Sequence, residues 1–150
     1  MKFTRFTDYA LRVLIYLGLR DDGRVTIREI AQSYDISRNH LMKVVSNLTR
    51  MGYLDARRGP GGGISLARPP AEINLACVIR DMEQDMIPVS CFGEPGECVI
   101  KPVCRLRNVL KEAMTAYLDT LDHYSLEDLL VPRNHLTDLL EIQRETAPAA

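Results

Sequence analysis

Apolar residues recur along this chain at steps of three and four, the spacing that gathers side chains on one side of a helix. In residues 7–20, Ala10, Val13, Leu14 and Leu17 form such a stripe, and Asp21, Asp22 and Gly23 stop it. Thr26-Ile-Arg-Glu29 has capping-box form: hydroxyl and carboxylate can each satisfy a free backbone N–H at a helix start. A short helix is predicted from there through about Gln32. Ser33-Tyr-Asp-Ile36 then makes a tight turn, with Asp35 as the residue tolerant of left-handed backbone. Ser37 is predicted to cap a third helix reaching about Met51, with Leu41, Val44, Val45 and Leu48 facing inward.

The period then changes. Residues 52–56 and 64–67 read as two short strands around the tip Arg57-Arg-Gly-Pro-Gly-Gly-Gly63, a hairpin with paired arginines. Two short helices joined by a tight turn, followed by a basic hairpin, predict a winged helix-turn-helix. Arg68-Pro-Pro70 ends the wing. A helix from about Asn74 to Gln84 comes next, carrying Leu75, Val78, Ile79 and Met82 on one side, with Cys77 expected in the core as a small hydrophobe. Residues 85–103 are loop-like. A long helix over 104–123 carries Leu106, Val109, Leu110, Ala113, Tyr117 and Leu121 at near-heptad spacing, as a helix pairing with another copy would. Ser125-Leu-Glu-Asp128 caps a last short segment. The expected class is mainly α with a small β-hairpin wing. The chain divides into a DNA-binding winged helix-turn-helix (1–84), a cysteine-bearing loop (85–104), a dimerisation helix (105–124) and a C-terminal segment (125–150) whose end is expected to be disordered.

Composition adds one fact to this pattern. The net charge of −1 hides a division: residues 1–70 hold 12 Lys/Arg against 6 Asp/Glu, and residues 71–150 hold 7 against 14. A basic front suits an anionic partner. At 150 residues, 46% hydrophobic and 26% charged, the chain can bury a core. The apolar stretch Tyr9–Leu19 is too short to span a bilayer and has no small-residue cleavage site behind it. Four cysteines without an export signal are therefore expected in a reducing cytoplasm.

The third predicted helix opens Ser37-Arg-Asn-His40, with Lys43 one turn on. In a helix-turn-helix, that end of the second helix meets base edges in the major groove. Arg38 suits a bidentate pair to guanine and Asn39 one to adenine, each worth about 1–3 kcal/mol of discrimination. Ser37, His40 and Lys43 suit phosphate. Arg57 and Arg58 suit a narrow minor groove, where negative potential is focused. The glycine run lacks the Lys-Ser/Thr of a phosphate-binding loop and precedes a strand, so nucleotide binding is not expected.

Cys91, Cys98 and Cys104 fall within 14 positions of Gly/Pro-rich sequence. Disulfides would leave an odd thiol. Structural zinc prefers closer pairs and a fourth ligand. An iron–sulfur cluster tolerates wider gaps, because separate thiolates reach separate irons. Spacing alone puts iron–sulfur slightly ahead of zinc and leaves one ligand unassigned either way.

Phe6-Thr-Asp-Tyr-Ala-Leu-Arg12, the wing Arg58-Gly-Pro-Gly-Gly-Gly63 with Leu66-Ala-Arg68, and the cysteine triplet after Val78-Ile-Arg-Asp-Met-Glu83 occur in one order. Together they resemble the Rrf-type winged-helix regulators, in particular the branch sensitive to nitric oxide, over nearly the whole chain to about residue 130. The resemblance implies a homodimeric transcriptional repressor whose intact cluster permits operator binding and whose nitrosylation releases the DNA. It implies an iron–sulfur cluster, 4Fe–4S in preference to 2Fe–2S, held by Cys91, Cys98 and Cys104. A sibling branch has a histidine three residues after the third cysteine; Arg107 stands there instead. The resemblance offers Asp8, contributed by the partner subunit, as fourth ligand. A carboxylate is a harder, more readily displaced donor than thiolate. The rival readings are a sibling regulator sensing cluster supply or redox state and, from another class, an iron–sulfur electron-transfer protein.

Overall fold

The first helix begins two residues before the sequence pattern places it, because Thr4 caps it with a side-chain oxygen that accepts from Thr7 N at 3.3 Å. The structure, a computed structural model, describes residues 3–20, 23–83, 86 and 99–142. Helix α1 (Arg5–Leu19) turns Ala10, Val13, Leu14 and Leu17 inward. The predicted capping box forms at Thr26–Glu29 and opens α2 (Ile27–Tyr34), two residues longer than expected. Asp35 closes that helix in left-handed backbone, φ 51° and ψ 49°. Helix α3 (Arg38–Arg50) comes next with Leu41, Val44, Val45 and Leu48 at most 4% exposed, each burial worth about 1.5–3 kcal/mol. Ser37 occupies the N-cap position, but its hydroxyl makes no capping hydrogen bond, so its predicted role reduces to placement.

Strands β1 (Leu54–Arg57) and β2 (Gly63–Leu66) pair antiparallel, from Leu54 opposite Leu66 to Arg57 opposite Gly63. Val25, ahead of α2, pairs with the other edge of β2 as a single bridge, exchanging two backbone hydrogen bonds with Ile64 at 2.8 and 2.9 Å. The wing is thereby fastened to the entrance of the helix-turn-helix. Helix α4 (Leu75–Met82) buries Ala76, Val78, Ile79 and Met82, while Leu75 is half-buried.

Cys77 is exposed, which overturns its expected place in the core. At 3.6 residues per turn it stands about 200° around from Leu75. That is the side shared by exposed Arg80 and Asp81, opposite the buried face. An apolar neighbourhood in sequence had hidden a polar face in space.

Helix α5 (Arg105–Asp122) has no buried residue. Its C-terminal end is tied to the start of α4, where Asn74 Nδ2 donates to Asp122 O at 2.8 Å and Leu75 N to Tyr124 O at 2.9 Å. The chain then returns to the core. Leu126, Leu130, Leu140 and Ile142 pack into the cluster built by α1. Arg133, which opens α6 (Arg133–Leu139), donates to Gly18 O and Leu19 O at 3.1 and 3.0 Å, satisfying carbonyls that a helix end leaves free. Helix α1 and residues 126–142 therefore build one core together. No helix among the described residues is long and apolar enough to cross a membrane.

Candidate nucleic-acid interface

With four apolar side chains of α3 turned inward, its remaining positions must face out. Ser37, Arg38, Asn39, His40 and Lys43 are all exposed. Arg38 shares a cleft of about 670 Å³ with the wing, and Arg28, Ser46, Arg57, Arg58 and Gly62 also line it. A second cleft, about 770 Å³, lies along α3 between Asn39, Lys43, Ser46, Arg50 and the Phe6 ring of α1. The structure thus brings Arg38 together with both wing arginines and sets Asn39 and Lys43 along the neighbouring cleft. Ser37 and His40 stand at the first turn of α3 and line neither. The His40 ring lies 6.3 Å from that of Tyr9 on α1.

Arg28, Ser46 and Arg50 were missed in the sequence. The signal for two of them was there: Asn39, Lys43, Ser46 and Arg50 continue one face at steps of four, three and four. Arg28 required the fold, since only the wing's attachment through Val25 brings the α2 entrance to the cleft.

The wing tip depends on glycine. A Cβ at Gly62 would lie 2.5 Å from the Arg57 carbonyl oxygen and 2.7 Å from that of Gly59, and backbone atoms cannot swing aside. Gly62→Ala is expected to open the tip, misplace both arginines and weaken duplex binding roughly tenfold through lost phosphate and groove contacts. The exposed tip carries little of the core, so the melting midpoint should fall only by about 2–4 °C. Titration of a fluorescent duplex beside calorimetry measures both; unchanged affinity would remove the wing from the interface.

The predicted cluster ligands are only partly placed. Cys91 and Cys98 lie outside the described residues. Cys104 is half-buried at the N-cap of α5, and its thiol makes no capping hydrogen bond. Asp8 sits in the first turn of α1, where the Arg12 Nε lies 3.2 Å from Oδ1 and 3.1 Å from Oδ2. Arg12 in turn lies over the Tyr34 ring, 5.6 Å from its centre. Burial, the largest influence, pushes the Tyr34 phenol up to about 12 despite the nearby Arg12 charge. Among the described residues, no three Cys, His, Asp or Glu side chains converge on one point.

An exposed polar recognition helix, a tight left-handed turn before it and a basic hairpin wing beside it define a winged helix-turn-helix DNA-binding protein. Residues 3–132 match the Rrf2 family, described as an iron-dependent transcriptional regulator, and the chain belongs to that family. The HTH-type transcriptional regulator NsrR of Bacillus licheniformis is 47% identical over 142 residues, 93% of this chain and 99% of the relative. The NsrR of Bacillus subtilis is 46% identical over 145 residues, 95% of this chain and 99% of the relative. Among solved structures, CymR, the global cysteine regulator of B. subtilis, is similar with a TM-score of 0.69 at 27% identity, covering 86% of this chain and 95% of that one. T. potens IscR shares the fold, with a TM-score of 0.68 at 22% identity, covering 98% and 94%. The chain is a DNA-binding transcriptional regulator and not an enzyme.

Proposed function

We propose that this protein is a nitric-oxide-sensing repressor that binds a pseudo-palindromic operator as a homodimer. In this reading Cys91, Cys98 and Cys104, with the partner subunit's Asp8, hold an iron–sulfur cluster, 4Fe–4S in preference to 2Fe–2S. The observation that carries it is Cys104 at the head of α5, closing the cysteine triplet in a chain 47% identical to a regulator named NsrR.

The residues present suit the group. The N-terminus of an α-helix favours negative charge, so Cys104 at the N-cap of α5 stands where an anionic group is favoured. Asp8 can leave Arg12 at small cost: both side chains are more than 40% exposed, and such i,i+4 pairs contribute about 0.3–0.5 kcal/mol. When bound, the cluster supplies the iron at which nitric oxide reacts. The chain's own task is mechanical. Asp8 stands on the first turn of the helix whose other turns pack under α3, and α1 also carries Tyr9 beside His40. Holding or freeing that carboxylate biases the spacing of two recognition helices, which must match half-sites about one helical turn apart.

The test is anaerobic. Operator affinity of the iron-loaded protein should fall to the level of shuffled DNA as nitric oxide is added stepwise. Affinity that stays constant through the titration overturns the reading.

A further inference from the structure

The wing arginines suit groove contacts, yet Arg57 stands beside a carboxylate. Asp55 is on the same strand, β1, and its Oδ2 lies 3.6 Å from Arg57 Nε. Across the wing, Arg24 Nη2 pairs with the same oxygen. Arg24 Nη1 also donates to Asp55 O and Gly63 O, both at 3.2 Å, so its guanidinium ties β1 to the tip-side end of β2. Only 16% of the Arg24 side chain is exposed, against 47% for Asp55 and 71% for Arg57. One arginine is structural, one is free to reach outward, and the acid stands between them. The hydrogen bond from Arg24, then the charges of Arg24 and Arg57, hold the Asp55 carboxyl below the usual range, so it is ionised wherever DNA binding is measured.

Asp55 does not line the cleft, but an acid 3.6 Å from one of its arginines is costly to affinity, because it offsets the attraction of Arg57 for phosphate. The wing does not need that charge for cohesion alone: Arg24 already bonds two backbone carbonyls, and Val25 holds Ile64. We propose that Asp55 is a positioning residue of the DNA interface: anchored by Arg24, its carboxylate aims Arg57 and cancels part of its unselective attraction to phosphate. Arg57 then gains most from DNA that presents a groove where the carboxylate points it, and least from an arbitrary backbone. Specificity built by penalising the wrong partner works in this way. The inference rests on the reading of the wing as a DNA contact.

The experiment uses the anaerobically purified full chain, a duplex it selects from a random pool, and a shuffled duplex of equal length. Asp55→Asn retains an oxygen for Arg24 and removes the charge. It should steepen the dependence of log K on log salt by about one. At ~0.1 M salt, that corresponds to roughly eightfold tighter binding of the shuffled duplex. The ratio of selected to shuffled affinity should fall severalfold. Asp55→Glu keeps the charge but moves it by one methylene, so it should keep the wild-type salt slope and still lose discrimination. If Asp55→Asn leaves slope and ratio unchanged, or weakens both duplexes equally, Asp55 is only a structural clip and the proposal fails. If Asp55→Asn does not fold, wild-type discrimination in Asp55→Glu overturns the proposal equally. Arg57→Ala separates the two readings: no effect on either duplex would discard the wing contact itself.

Discussion

Cys104→Ala, purified without oxygen, should carry neither iron nor sulfide and should bind the selected operator no better than a shuffled duplex. Specific binding by regulators of this size exceeds non-specific binding by at least about 10³, and that factor is what the variant stands to lose. The expectation is severe because Cys104 has no second role to blur it. It is half-buried at the N-cap of α5, lies outside the hydrophobic core, and its thiol makes no capping hydrogen bond. Circular dichroism and the apo melting midpoint should therefore match wild type, leaving the lost cluster as the cause. Cys77→Ala is the paired control. Cys77 is exposed on the outer side of α4, so its removal should leave iron content and operator affinity intact. Wild-type iron and sulfide in Cys104→Ala would end the ligand assignment.

What the sequence revealed, and what it hid, depends on the range of each interaction. The capping box at Thr26–Glu29, the left-handed Asp35 and the inner face of α3 are local, and each formed as its spacing predicts. The exposure of Ser37, Arg38, Asn39, His40 and Lys43 was legible for the same reason, because these positions lie off the buried face set by Leu41, Val44, Val45 and Leu48. Cys77 was misjudged because α4 is eight residues long and apolar on both sides of it, so the stripe had no polar edge to define its limits. Val25 escaped because a single β-bridge has no period. The Arg24–Asp55 pair is 31 residues apart in sequence and exists only once β1 and β2 have paired. The return of residues 126–142 onto α1 is longer-range still: Arg133 reaches Gly18 across 115 positions. Local rules found the reading head; long-range ones positioned it.

Leu106→Glu/Val109→Glu is expected to yield a folded monomer that binds the selected operator at least about a hundredfold more weakly. Along α5 no residue is buried, and its first turns carry open apolar positions: Leu106 at 61% and Val109 at 51% exposed, with Ile100 and Val103 at 59% and 85% just ahead of the helix, while Leu110, Tyr117 and Leu121 are half-buried. An apolar patch of this kind facing water is suited to the same patch of a second copy, which a two-fold axis makes self-complementary. Two glutamates would place carboxylates where the copies meet, and burying an unpaired charge costs several kcal/mol. Because neither side chain is buried in the single chain, secondary structure should survive. A drop in affinity then reflects the lost second reading head, since two linked heads exceed one by roughly 10²–10⁴. Leu139 on α6 is 80% exposed, and Leu139→Glu should leave the dimer intact, showing that position rather than charge is decisive. Sedimentation of wild type and both variants measures assembly directly, and a double variant that sediments as a dimer removes α5 from the interface. The same monomer tests the fourth ligand independently: with the partner subunit's Asp8 absent, the absorbance of the iron-loaded protein should shift even though all three cysteines remain. A monomer with the wild-type spectrum would keep α5 as the dimer helix and dismiss Asp8 of the partner subunit as a donor.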